Sequence, residues 1–145
     1  MARPDPERLA ALRSLRRAHA VVERRLEVAL HDEHDLPLTW FETLAALQEA
    51  GGKLRIHDLA EVQMIVKSSL SRQVARMEEH ALVRRDRSDE DGRGVVVHLT
   101  ADGRQAWRTA LTTYKRIAQQ AFCAHVTDSD LPAVARVSTK VLLGE

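Results

Sequence analysis

Between positions 68 and 76 the chain sets serines, arginines and a glutamine at a spacing that gathers them on one side of a helix. At about 100° per residue, Ser68, Ser69, Arg72 and Arg76 fall within an arc of about 100°, with Gln73 just beside it. Leu70, Val74, Met77 and Ala81 gather on the other side. One face can pack while the other offers two guanidinium forks, an amide and two hydroxyls. Arg pairs bidentately with guanine, Gln pairs with adenine, and Ser holds a phosphate or a base edge. Lys67, Ser68 and Ser69 stand at the start of this helix, where unpaired backbone N–H groups can also meet a phosphate. A solvated helix can carry two arginines without any such role, so the face needs a second observation.

That observation lies just downstream. Val83–Arg87 and Val95–Leu99 read as two strands joined by Ser88-Asp89-Glu90-Asp91-Gly92-Arg93-Gly94, a run of turn formers. Alternation puts Arg85 and Arg87 on one face of the first strand and Arg84 on the other, so not all can reach one ligand. Arg93 sits at the tip, and Asp91 reads as a brace that holds it by a charge-assisted bond. A helix in the major groove with a basic hairpin beside it is a way to grip duplex DNA.

Other chemistry is less well supported. His31-Asp32-Glu33-His34 holds four metal-ligating residue types in a row, but zinc asks for tetrahedral ligands that this run alone does not supply. A polar helix end is the simpler reading, and no metal or cofactor is expected. Cys123 stands alone, which excludes an internal disulfide and suits a reducing compartment; it reads as packing. No glycine-rich phosphate loop appears, and no nucleophile is paired with a base, so an enzyme is not expected. Two alternatives to DNA binding stay open: a winged module used for protein contacts, and a metal-sensing regulator. The first predicts an apolar recognition face, whereas this one is polar and cationic.

The elements that must position these residues follow from periodicity. With 145 residues, 44% hydrophobic and 30% charged, the chain has the composition of one soluble domain. No apolar run approaches the roughly 20 residues that span a bilayer, and the polar start has no signal-peptide core, so a cytoplasmic location is expected. The net charge of +1 means that DNA affinity must come from local placement. Residues 7 to 30 carry an apolar stripe (Leu9, Leu12, Leu15, His19, Val22, Leu26, Leu30) ahead of a polar break at 31–35. Thr39 with Glu42 reads as a capping box for a second helix, which Gly51-Gly52 ends. Ile56–Val62 and Val66–His80 form the helix pair around a turn at 63–65. Thr100 reads as the cap of a fifth helix with apolar Trp107, Leu111, Tyr114, Ala118 and Phe122. Thr127-Asp128-Ser129-Asp130, with Pro132, opens a sixth through Leu131, Val134, Val137 and Val141. The expected fold is mainly α with a small β-hairpin wing (α+β). Residues 1–34 and 100–145 would form a helical dimerisation region, and 35–99 the winged helix-turn-helix. The stripes of the outer helices need partners, most simply in a second copy.

Asp58-Leu59-Ala60-Glu61, Lys67-Ser68-Ser69-Leu70-Ser71-Arg72, Leu82-Val83-Arg84-Arg85, Asp89-Glu90-Asp91-Gly92-Arg93 and Leu99-Thr100-Ala101-Asp102-Gly103 together resemble the MarR family of bacterial transcription regulators. The resemblance covers nearly the whole chain, and the Asp-x-Arg wing followed by Leu-Thr-x-x-Gly is its most specific part. It implies a homodimer on a palindromic operator, usually a repressor released by a small anionic or phenolic ligand. It also implies a ligand pocket in which Arg13 or Arg16 pairs a carboxylate, His19 bonds a hydroxyl and Trp40 forms a flat wall. The chain departs from the family pattern at Met64 and Ala81, where glycines are common, and at Val66, where a serine cap is typical.

Overall fold

The computed structural model describes residues 2–87 and 94–145. The expected tip of the wing, with Asp91 and Arg93, lies outside the described residues. Six α-helices and three strands follow in the order α1 (Pro6–His34), α2 (Leu38–Glu49), β1 (Lys53–Arg55), α3 (Ile56–Gln63), α4 (Lys67–Glu79), β2 (Val83–Arg87), β3 (Val95–Leu99), α5 (Ala101–Ala121) and α6 (Leu131–Leu143). The helices divide between two compact units, Met1–Leu26 with Lys115–Glu145, and Glu27–Tyr114. No helix among the described residues is long and apolar enough to cross a membrane.

The larger unit holds most of the core. Leu30, Leu44, Leu47, Leu59, Leu70, Val74, Met77 and Val97 are fully buried. They lie three or four apart along the helices, as burial of one face demands. β1, β3 and β2 form an antiparallel sheet in that order, with Leu54 and Arg85 both opposite Val97. β1 was missed by the sequence reading. At three residues it is too short for a period, yet it closes the outer edge of the wing and leads straight into α3.

Several local expectations need correction. The polar run from His31 does not break α1, which continues through His34 and ends at Asp35 with φ +50°. Its polar side chains need only one exposed face, while Leu30 and Leu36 stay buried and hold the turn by a Leu36 N–H bond to the Leu30 carbonyl. Thr39 does not cap α2. The helix starts two residues earlier, at Leu38 behind Pro37, whose carbonyl accepts the Phe41 N–H, and no side chain caps it. In α5 the buried positions are Gly103, Ala110, Thr113 and Ile117, so the predicted stripe of Trp107, Leu111, Tyr114 and Ala118 lies half-buried beside them, and Phe122 is exposed. Small residues mark the close approach there, and large ones flank it. Gly51 and Gly52 do end α2.

The end of α4 is joined tightly to the start of α5. Thr100 Oγ1 donates to the Ala81 carbonyl at 2.6 Å and accepts the Gly103 N–H at 2.9 Å, so it caps α5 as expected. A Cβ on Gly103 would lie 2.0 Å from the Leu82 carbonyl oxygen, and only glycine fits. Ala81 leaves α4 at φ +59°, and Met64 ends α3 at φ +55°. Both sit in left-handed turns closed by bonds five residues back, Leu82 N–H to Met77 O and Ile65 N–H to Ala60 O. Met64 is exposed, so its side chain gives little packing in return. Met64→Gly should raise the unfolding free energy by about 0.5–1 kcal/mol, since glycine enters this conformation without strain. Urea denaturation measures it, and an unchanged or lower midpoint would contradict the strain assigned to Met64.

Candidate nucleic-acid interface

α4 is built by its buried side. Leu70, Val74 and Met77 carry no accessible surface, so the helix cannot rotate. The opposite side presents Lys67, Ser68, Ser69, Arg72 and Arg76, all exposed. Arg72 reaches its own helix at Ser69 Oγ, 3.4 Å away. Lys67, Arg72, Arg76 and Arg87 meet no acidic side chain among the described residues. Val66 precedes the helix in extended conformation with no side-chain cap, so the first N–H groups are unclaimed by one. Positive side chains and the positive end of the helix dipole thus share one surface.

Gln73 is placed differently from its neighbours. Half-buried, it donates through Nε2 to Thr43 Oγ1 at 2.7 Å and to the Thr39 carbonyl at 3.4 Å. The Thr43 hydroxyl is itself buried and lies 2.8 Å from Gln63 Oε1 and 3.0 Å from the Thr39 carbonyl. A single hydroxyl therefore joins α2, the end of α3 and the recognition helix. This junction was not legible beforehand, because the partners of Thr43 lie 20 and 30 residues away in the sequence.

The strand arginines divide as alternation requires. Arg85 donates from Nε and Nη2 to Glu78 Oε1 at 3.1 and 2.9 Å, and its backbone N–H reaches Glu78 Oε2 at 2.7 Å. Arg84, on the other face, is paired with Asp86, which also lies 3.1 Å from His98 Nε2. Both arginines thus hold the wing to the fold or to itself, and Arg87 remains exposed at the strand end. A cleft of about 500 Å³ joins the wing root to α3 and α4, lined by Arg55, His57, Asp58, Lys67, Gly94 and Val95. Arg55 and His57 were not anticipated; the missed β1 brings Arg55 there. His57, Asp58 and Glu61 also gather on the exposed side of α3.

The residues expected to hold an acidic ligand are not gathered by described contacts. Arg13 and Arg16 line a shallow hollow along α1, and exposed His19 faces Glu23 at 3.7 Å. Trp40 meets His80 edge-on, with ring centroids 5.2 Å apart. His34 bonds Thr113 Oγ1 at 2.7 Å, and His31 faces Asp35, so these two histidines have protein partners. Cys123 is exposed, not packed as expected.

A three-stranded wing, a helix pair and a cationic second helix define a winged helix-turn-helix. Residues 34–94 match the model of the MarR family. The chain is similar to AbsC, a MarR family transcriptional regulator from Streptomyces coelicolor, at 27% identity over all of both chains with a TM-score of 0.88. It is also similar to Sco3205, a MarR family regulator from the same organism solved in complex with DNA, at 26% identity, covering 99% of this chain and 91% of that one, with a TM-score of 0.92. A mutant MarR from E. coli complexed with operator DNA shares the fold at 20% identity and a TM-score of 0.82, over 96% of this chain and 99% of that one. No curated protein matches the sequence. Residues 34–94 thus match the MarR family, and the chain over its whole length is similar to MarR family transcription regulators.

The Arg85 backbone N–H, and then its guanidinium, hold the Glu78 carboxyl below its ordinary range. A depressed folded-state pKa gives stability that is present above the unfolded value, near 4.5, and is lost as pH falls through the folded one. Glu78→Gln should therefore cost about 1 kcal/mol at pH 7 and make the acid side of the stability profile shallower. Unfolding midpoints across pH 2–7 check it, and two parallel profiles would refute the role given to this pair.

Proposed function

We propose that the chain is a homodimeric repressor that binds a palindromic operator. The observation that carries this reading is the α4 surface. Arg72 and Arg76 are exposed and meet no acidic side chain among the described residues, on a helix whose other side is fully buried. Arg72 and Arg76 would read base edges, and Lys67, Ser68 and Ser69 would fix the helix on phosphates. Arg87 and Arg93 would hold the wing to the backbone, with Asp91 as the brace of Arg93. Gln73, its amide nitrogen engaged by Thr43, would set the angle of α4, and its base contact would be limited to what the remaining oxygen can accept. The DNA-bound state of Sco3205 supports the same use here.

Dimerisation is supported by the smaller unit. Leu12, Leu15, Leu131, Val134, Val137 and Val141 are exposed in the single chain, the last at 73%. So large an apolar surface on a water-soluble regulator calls for a cover, and a second copy provides the matching one. Two recognition helices related by a two-fold axis would then meet half-sites about one turn apart, roughly 34 Å. In this reading a small effector releases the operator.

Selection of bound fragments from random duplex should return a palindrome. Arg72→Ala should weaken binding to it by about 1–3 kcal/mol and blur discrimination at one base pair per half-site. Full affinity in that variant would remove Arg72 from the base contacts, and enrichment of no sequence would favour a protein-contact module. Sedimentation should give twice 16.3 kDa, and Val137→Asp should shift the mass toward one chain. A wild-type monomer at micromolar concentration would end the dimer reading.

A further inference from the structure

Helix α1 has a second face, turned away from its apolar stripe. At about 100° per residue, Arg13, Arg17 and Arg24 fall within an arc of about 40°, and Arg16 stands about 60° to one side of Arg13. Leu12, Leu15, Val22 and Leu26 lie about 100° or more from that arginine line. All four arginines are exposed, and none meets an acidic side chain among the described residues. No acid stands between Arg8 and Glu23 in the sequence; Arg8 is paired with Asp5, and Glu23 faces His19. Ala10, Ser14 and Ala20 line the shallow hollow of about 610 Å³ together with Arg13, Arg16 and Arg17. Such small side chains leave nothing to hold a bulky partner away from the guanidinium groups.

The chemistry of this face asks for a dense polyanion. Residues 1–26 hold seven arginines and no lysine, and the guanidinium fork matches two oxygens of one phosphate. Arg13 and Arg17 are like charges one turn apart, a repulsion that a bound polyanion removes. The line from Arg13 to Arg24 runs about 16 Å along the helix. Over that length duplex DNA carries roughly nine phosphate charges, one per about 1.7 Å of its axis. An extended acidic peptide turns a side chain to one face only about every 6.6 Å, and so brings two or three. Duplex also releases condensed counterions as arginines approach, a gain that grows with the number of phosphates met. The stripe belongs to the smaller compact unit, whereas α4 belongs to the larger.

We propose that Arg13, Arg16, Arg17 and Arg24 form a second surface for duplex DNA, which takes a duplex other than the one held at α4. Its contacts go to phosphate, so it is indifferent to sequence. The surface stands by itself, and only the holding of two duplexes at once rests on the operator reading. Full-length protein saturated with the selected palindrome on beads should capture a fluorescent duplex of unrelated sequence. Arg17→Gln with Arg24→Gln should cut that capture about tenfold or more at ~50 mM salt and leave palindrome affinity within about twofold. The salt slope of capture should fall by about two, one for each arginine removed. Arg72→Ala with Arg76→Ala should lose the palindrome yet still bind unrelated duplex, and adding the two glutamines should remove what is left. Circular dichroism and sedimentation check that each variant keeps its helices and mass. If the glutamine pair disturbs them, Arg24→Gln alone serves, with a slope change of about one.

Capture that survives the loss of Arg17 and Arg24 with an unchanged salt slope overturns the proposal. A polyglutamate peptide that displaces the second duplex at an equal or lower charge concentration gives the stripe to an acidic protein, and overturns it too. A chain that holds the palindrome and captures nothing rejects the surface and keeps the operator reading. A chain that ignores every palindrome but binds unrelated duplex through Arg17 and Arg24 keeps the surface and rejects that reading.

Discussion

The Leu82 carbonyl stands so close to the first turn of α5 that position 103 can carry only hydrogen. Much of the DNA-facing unit depends on this approach. It lets the Thr100 hydroxyl span from the Ala81 carbonyl to the Gly103 N–H, so the end of the recognition helix and the start of α5 share one bonded corner. Ala81 takes a left-handed conformation there that alanine does not favour. The strain is held by the surrounding bonds, chiefly those from Leu82 and Thr100. The outcome is a recognition helix with a fixed end.

The middle of that helix is held by polar groups. Gln73 and Gln63 meet at the Thr43 hydroxyl, and the buried faces of α2 and α4 surround it. In a low-dielectric interior such bonds are strong and costly to leave unmade. They fix the helix angle more sharply than apolar contacts, which tolerate sliding. Glu78 and Arg85 perform a related task at the wing, joining α4 to β2 through three bonds to one carboxylate. Net charge near zero is thus compatible with a cationic ridge, because Glu78 and Asp86 are spent on structural arginines and no acidic side chain among the described residues pairs with Arg72 or Arg76.

Much of this was legible in the sequence. Strands β2 and β3, the ends of α3 and α4 to within a residue or so, the Thr100 cap and the exposed face of α4 all follow from period and cap chemistry. Those signals are local, and each is repeated along its element. What escaped was set by distant contacts. β1 exists only because β3 offers it an edge. Helix α1 passes through four polar residues because its burial needs only one side. In α5 the buried line runs through Gly103, Ala110 and Thr113, and at Gly103 the Leu82 backbone leaves room for no side chain. The role of Gln73 was hidden for the same reason: its spacing places it near the groove face, while its partner is 30 residues away.

The sheet order leaves β1 and β2 as outer strands, and on β2 the Arg85 N–H is already taken by Glu78. An outer strand of a flat apolar kind is a template for aggregation. Here Lys53 and Arg55 flank Leu54 on one side, and Val83 is followed by Arg84, Arg85, Asp86 and Arg87 on the other. Any chain docking there would bring like charges together at a strand spacing near 4.8 Å. The wing thus carries its own protection against self-templating, and that protection costs the module nothing, because a polyanion is the one ligand those cations welcome.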